Sequence, residues 1–79
     1  MSGDSQHAAE LIEFVAKALV SDTDAVNVEL AGDGRTLELE TAADDRGRVI
    51  GRQGRVAKSM RALLSKSGGC SDLRLDIVD

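Results

Sequence analysis

The chain has 79 residues, a formal net charge of −4, one cysteine, one phenylalanine, and no tryptophan, tyrosine or proline. A second hydrophobic core would not fit in this length, so the sequence predicts one domain, with its core at about 8–78 and a flexible tail at 1–6. The lone Cys70 excludes an intrachain disulfide and fits a reducing compartment. The start lacks the features of a signal peptide and no apolar run is long enough to span a membrane, so we expect a cytoplasmic protein.

The first predicted element is an amphipathic helix. Its apolar positions follow helical spacing: Ala8, Leu11, Ile12, Val15 and Leu19. Phe14 and several small apolar residues widen this face, and only a narrow polar strip remains, with Glu13 and Lys17 at a favourable i, i+4 spacing. A helix this apolar either lies deep in the core or contacts a second surface. We therefore expect this helix to contribute to self-association.

A β-hairpin and a pair of helices are predicted next. Val26, Val28 and Leu30 alternate with polar residues, as do Leu37 and Leu39, and the turn sequence at 32–35 separates the two runs. Asp44 or Asp45 can cap a short helix that carries Val49 and Ile50. Residues 51–54 break that helix, and a second one runs from about Arg55 to Ser65. Its apolar face contains Val56, Ala57, Met60, Leu63 and Leu64.

The chain ends with a loop at 67–71 and a last strand in which Leu73, Leu75 and Ile77 alternate with polar residues. The predicted order is therefore helix, strand, strand, helix, helix, strand. No repeat or linker interrupts this order, which is that of an α+β domain.

The positive charge is concentrated in residues 46–66. This segment contains seven of the ten Lys and Arg residues and none of the fourteen Asp and Glu residues. Its charge is +7, whereas the rest of the chain carries 3 − 14 = −11. An acidic protein with one such segment has a face suited to an anion, and a chain of phosphates is the commonest anion that needs many contacts.

Gly51 and Gly54 lie in the middle of this segment and frame Arg52 and Gln53. Without Cβ atoms, the two glycines would let a phosphate approach the main chain closely. The unpaired amide groups at the start of the next helix would favour negative charge, and Arg52 and Arg55 would add charged donors. The spacing of the glycines is weak evidence by itself, and the alternative is a tight helix–helix turn with solvated arginines.

Other chemistry finds little support in the sequence. Phe14 is the only aromatic residue and is far from the basic segment, so modules that stack bases on aromatic rings are excluded. With His7 as the only histidine and Cys70 as the only cysteine, neither a common zinc site nor a Cys–His pair can form. No matched acid–base pair or Walker-type loop is present. We therefore expect no metal, no cofactor and no enzymatic activity.

The run Val49-Ile50-Gly51-Arg52-Gln53-Gly54-Arg55-Val56-Ala57, between two helices and after a hairpin, resembles the signature of a KH domain. The order of elements is similar to the type II, prokaryotic arrangement. From about Ala8 to Val78 the chain resembles the small bacterial RNA-binding proteins of the KhpA family. One position departs from the pattern, because Ala57 is smaller than the branched aliphatic residue that many KH domains carry there.

The resemblance implies a three-stranded sheet covered on one face by three helices, and a loop at 51–54 that clamps about four nucleotides of single-stranded RNA. It implies that Ile50 belongs to an apolar groove and that Arg52 and Gln53 meet phosphates. The helix face after the loop would also place Lys58 or Arg61 near the path of the strand. With Arg48, the predicted site is Arg48, Ile50, Gly51, Arg52, Gln53, Gly54, Arg55, Lys58 and Arg61.

The family resemblance also implies partners and a cellular role. The partner is a second copy or a larger KH-containing protein of the KhpB type. The role is that of an RNA chaperone or post-transcriptional regulator linked to cell shape, cell-wall growth and division. Two alternatives remain open at the level of the residues: a helix-turn-helix that binds duplex DNA, and a protein-assembly module that uses the apolar first helix.

Overall fold

The structure is a computed structural model that describes residues 2–66 and 73–78, with side chains from residue 5 onward. Its α-helices are α1 (Ser2–Leu19), α2 (Arg46–Ile50) and α3 (Arg55–Lys66), and its strands are β1 (Asn27–Leu30), β2 (Thr36–Glu40) and β3 (Arg74–Ile77). The predicted order of elements is confirmed. The predicted loop at 67–71, including Cys70, lies outside the described residues. No helix of the described part is both long and apolar enough to cross a membrane.

The strands form a sheet in the order β1-β2-β3. β1 and β2 are antiparallel, with Leu30 opposite Leu37, and β2 and β3 are parallel, with Leu37 opposite Leu75. The hairpin turn is held by Asp33, whose carboxylate accepts hydrogen bonds from the main-chain N–H of Arg35 at 2.8 Å and from the N–H and hydroxyl of Thr36 at 3.0 and 2.9 Å. These hydrogen bonds lower the pKa of Asp33.

One face of the sheet carries the core, and the helices cover that face. α1 contributes residues spaced four apart, and the other elements supply the rest, so that the core contains Ala8, Ile12, Ala16, Leu37, Leu39, Val49, Met60, Leu64 and Leu75. Burial of this apolar surface is the main favourable contribution to folding. The structure thus confirms the predicted fold class, an α+β domain with three helices on one face of a three-stranded sheet.

The outer face of the sheet is acidic. Glu29 lies directly opposite Glu38 in the hairpin, and Glu38 lies directly opposite Asp76 in the parallel pair. These three carboxylates form a row across all three strands, and Glu40 lies on the same face. Like charges directly opposite each other on a sheet are destabilising. Part of the negative charge of the chain therefore lies on the side of the sheet away from the helices.

α1 buries only part of its apolar surface. Ala8, Ile12 and Ala16 are fully buried, whereas the side chain of Phe14 is 73% exposed. The predicted pair between Glu13 and Lys17 is present, with an N–O distance of 2.7 Å. α1 therefore carries an apolar side chain, Phe14, outside the core, and the expected self-association stays a prediction.

Asp45 connects the start of α2 to the residues that follow α1. It occupies the N-cap position of α2, but its side chain makes no capping hydrogen bond. Its carboxylate instead accepts hydrogen bonds from the main-chain N–H groups of Ser21 at 3.1 Å and Asp22 at 3.0 Å. The prediction that Asp44 or Asp45 caps the helix is wrong in this respect, because the carboxylate turns toward the residues that follow α1.

These contacts determine the ionisation of Asp45. The N–H of Ser21, then that of Asp22, and the positive charge of Arg48 lower its pKa from 3.8, and burial opposes them. The contribution of this group to stability is therefore fully present above its ordinary pKa. It is lost as the pH falls through the lower pKa of the folded state.

We expect Asp45→Asn to lower the urea midpoint at neutral pH, because an amide cannot accept both N–H groups as a carboxylate does. The variant should also lose less stability than the wild type between neutral pH and pH values below 3.8. Urea unfolding followed by circular dichroism at several pH values measures both effects. Asp44→Asn, a change at the exposed neighbouring position, is the control. An unchanged pH dependence in Asp45→Asn would contradict the assignment.

Candidate nucleic-acid interface

The turn between α2 and α3 contains three residues with positive φ. Gly51 has a φ of 79°, Gln53 of 58° and Gly54 of 75°. The N–H of Gly51 closes α2 onto the carbonyl of Gly47 at 2.8 Å, and the N–H of Gly54 donates to the carbonyl of Gly51 at 3.0 Å. A positive φ is uncommon for a residue other than glycine, so the backbone of Gln53 is the least ordinary part of this turn.

The two glycines are required for different reasons. A Cβ at Gly51 would lie 2.5 Å from Val56 Cγ2 and 2.8 Å from Val56 N, whereas a Cβ at Gly54 would meet nothing within 4 Å. The sequence interpretation that both glycines leave space for a phosphate therefore applies to Gly54. At Gly51 the space is already taken by Val56, and the glycine serves the internal packing of the turn.

The turn directs Arg52 and Gln53 into solvent, where both side chains are exposed. Arg55, also exposed, is the first residue of α3, a helix of 12 residues. The N–H groups of the first turn of such a helix attract negative charge, and no acidic residue lies between 46 and 66 to compete for them. The turn thus combines two flexible cationic side chains, an amide and a helix N-terminus on one surface.

An apolar residue lies beside these polar groups. Ile50 is the last residue of α2, and 37% of its surface is exposed, in contrast to the fully buried Val49. Its position directly before Gly51 offers an apolar contact next to the cationic turn.

Arg48 is held by two neighbours. Its guanidinium donates a hydrogen bond to the hydroxyl of Ser21 at 2.6 Å and lies 3.6 Å from a carboxylate oxygen of Asp45. The side chain remains 57% exposed, so the ion pair is screened by water. Among the predicted site residues, Arg48 therefore has part of its charge compensated by an acidic partner.

The remaining predicted residues form a row along α3. Arg55, Lys58 and Arg61 are spaced three apart and all are exposed. Arg61 differs from the other two because its Nε and Nη2 atoms donate to the main-chain carbonyl of Leu75 in β3, each at 3.3 Å. The predicted residues thus follow one another along α2, the turn and α3, and Arg61 reaches β3; we call these positions together the basic surface.

Three contributors to this surface were missed by the sequence analysis. Val56 was predicted only as a core residue, yet it determines the need for Gly51. Asp45 holds Arg48, and the carbonyl of Leu75 holds Arg61. Of these contacts, only the one between Val56 and Gly51 is indicated by a residue type in the sequence, the glycine. A contact to a main-chain carbonyl has no sequence pattern, because every residue has such a group.

A turn framed by two glycines, between two helices of an α+β domain in the order helix, strand, strand, helix, helix, strand, defines a type II KH domain. In agreement with this class, the family described as "KhpA/KhpB, KH domain" matches residues 9–77. The chain belongs to this KhpA/KhpB family of KH-domain proteins.

Individual relatives cover most of the chain. The RNA-binding protein KhpA of Mycobacterium leprae is 40% identical over 72 residues, which are 89% of this chain and 89% of that protein. The RNA-binding protein KhpA of Treponema pallidum is 43% identical over 74 residues, 89% of this chain and 92% of that protein. The RNA-binding protein KhpA of Caldanaerobacter subterraneus is 47% identical over 57 residues, 70% and 76% of the two chains. No solved structure gives a significant match.

Alanine substitutions should distinguish the two glycines. Gly54→Ala places a side chain at positive φ and should lower the free energy of unfolding by about 1–2 kcal/mol. Gly51→Ala should cost clearly more, because the new Cβ also collides with the main chain of Val56. Urea unfolding measures both, and Gly47→Ala, in α2 with no atom near its Cβ, is the control that should be neutral or stabilising. Equal losses for Gly51→Ala and Gly54→Ala would contradict this assignment.

Proposed function

We propose that this protein binds short stretches of single-stranded RNA through the turn at 51–54. The observation that carries the proposal is the exposed pair of Arg52 and Gln53, held between two positive-φ glycines at the start of α3. The names of the relatives, which are RNA-binding proteins, support the same ligand. The proposed activity is binding, with no catalytic step and no cofactor.

In the proposed complex the phosphates of the RNA contact the turn. The open space at Gly54 lets a phosphate approach the main chain, and Arg52 and Arg55 supply charged donors. Gln53 adds an adaptable amide, and Ile50 offers an apolar surface to the adjoining base. Because the chain has no aromatic side chain in residues 46–66, the bases are held by apolar contacts and hydrogen bonds.

Charge reversal in the turn tests this function. The double substitution Arg52→Asp, Gln53→Asp should weaken binding to a short unstructured RNA more than about tenfold, because it replaces a cation and an amide by two anions. Fluorescence anisotropy at several salt concentrations measures the loss. Binding by the wild type should also weaken as the salt concentration rises.

The matched control changes an arginine and a glutamine elsewhere. Arg35→Asp, Gln6→Asp makes the same alteration of charge at two exposed positions, one in the hairpin turn and one in α1. It should retain most of the binding. Equal binding by wild type and turn variant would contradict the proposed site, and a preference for duplex DNA over single-stranded RNA would favour the helix-turn-helix alternative.

We further propose that the protein acts as a dimer, because one domain holds only about four nucleotides and joining two sites raises the overall affinity. The exposed Phe14 on α1 supports an apolar contact between subunits. The partner is a second copy or a larger KH-containing protein of the KhpB type. The family's description, which names both proteins, is consistent with the second case.

The dimer proposal predicts the effect of a charge on α1. Phe14→Glu should weaken self-association more than about tenfold, because each subunit loses a buried aromatic side chain at the contact. The fold should survive, since Phe14 is 73% exposed in the single chain. Sedimentation equilibrium over a range of concentrations measures the change. Gln6→Glu, which adds the same charge at another exposed position of α1, is the control, and a wild-type chain that stays monomeric throughout contradicts the proposal for a homodimer.

For the cell, we propose a cytoplasmic RNA chaperone or post-transcriptional regulator. On the family resemblance, its targets include transcripts for cell shape, cell-wall growth and division. Weak binding to a few nucleotides is compatible with a chaperone, which must bind and release many RNAs. The support for this role is the resemblance together with the small size of the proposed site.

A further inference from the structure

The edge of β3 that faces away from β2 has main-chain groups directed outward. β3 is the last strand in the order β1-β2-β3, and among the described residues no strand pairs with its far side. The N–H groups of Arg74 and Val78 donate toward β2, to the carbonyls of Arg35 at 2.7 Å and Leu39 at 2.9 Å. Main-chain groups of successive residues alternate between the two sides of a strand, so the carbonyl of Leu75 points to the outer edge.

Arg61 covers this carbonyl. Its Nε and Nη2 atoms both donate to the carbonyl oxygen of Leu75 at 3.3 Å. A guanidinium has five N–H donors in a fixed plane, and this carbonyl uses two of them. At this point the strand edge therefore presents a cationic donor to an approaching ligand instead of an acceptor.

The position of Arg61 relates this edge to the proposed phosphate site. Arg55, Lys58 and Arg61 follow one another at intervals of three residues along α3, which begins directly after Gly54. At 1.5 Å per residue, Arg61 lies about 9 Å along the helix axis from Arg55. An RNA strand whose phosphates are held at the turn can follow the cations of α3 toward Arg61. Its bases then lie next to the outer edge of β3.

We propose that Arg61 is a specificity-determining residue that selects bases with a carbonyl at the exposed edge, uracil and guanine, over adenine and cytosine. Uracil and guanine present an oxygen acceptor where adenine and cytosine present an amino donor. An amino group would pair with an uncovered Leu75 carbonyl, but it finds a guanidinium there. The inference rests on the proposed RNA-binding function, in which phosphate contacts position the strand and base contacts specify it.

The test compares short oligouridine, oligoadenosine and oligocytidine of equal length by fluorescence anisotropy. The wild type should bind oligouridine at least about fivefold more tightly than the other two. Arg61→Ala should bring these ratios toward one, because the carbonyl of Leu75 is then open to amino groups. Arg61→Lys keeps the charge without the planar fork, so it should also lower the ratios while it retains more of the overall affinity.

Lys66→Ala is the matched control, because it removes one exposed positive charge from the other end of α3. It should weaken the binding of all three oligonucleotides by a similar factor and leave the ratios of their affinities unchanged. Circular dichroism confirms the fold of each variant, and Arg61→Lys provides the comparison if Arg61→Ala does not fold.

Two outcomes separate this inference from the function on which it rests. Binding that depends on Arg52 and Gln53 but shows no preference for oligouridine, or a preference that survives both substitutions of Arg61, overturns the role of Arg61 and leaves the turn as the RNA site. A lack of binding to every oligonucleotide overturns both proposals.

Discussion

The close approach of Val56 to Gly51 fixes the geometry on which the basic surface depends. Val56 fills the volume that any other residue at position 51 would need for its Cβ, so the chain can pass from α2 into α3 only with glycine there. This packing sets the direction in which α3 begins and therefore where its first N–H groups point. Arg52 and Gln53, the residues that follow Gly51, extend from the surface, whereas Val56 remains half-buried. The glycine thus serves internal packing at the point where the chain presents its cations to solvent.

Much of the architecture is local and could be predicted from the sequence. The apolar spacing of α3, the hairpin and the turn at 51–54 each depend on residues within a few positions of one another, and the structure confirms all three. The contacts that could not be predicted join a side chain to a distant main-chain group. Asp45 accepts from the N–H groups of residues 21 and 22, and Arg61 donates to the carbonyl of Leu75. Since every residue has a main-chain carbonyl and nearly every residue has an N–H, such partners leave no pattern in the sequence.

The sequence of α1 also predicted only part of what the structure shows. Its spacing correctly predicted a broad apolar face, but spacing alone could not divide that face between the core and the solvent. The structure assigns Ile12 to the core and leaves Phe14 exposed, two residues further along. Among the large hydrophobic residues that the structure describes, Phe14 is the most exposed. The domain thus has two distinct surfaces, an apolar one on α1 and a basic one around the turn between α2 and α3.

The row formed by Glu29, Glu38 and Asp76 lies on the opposite side of the sheet from the helices that carry the basic segment. The carboxylate row on one side and the basic segment 46–66 on the other contribute an electric dipole component across the sheet. In the field of a polyanion such a molecule experiences a torque that turns its helical side forward before contact. Such steering would act on the rate of productive encounter with a polyanion rather than on the strength of the complex.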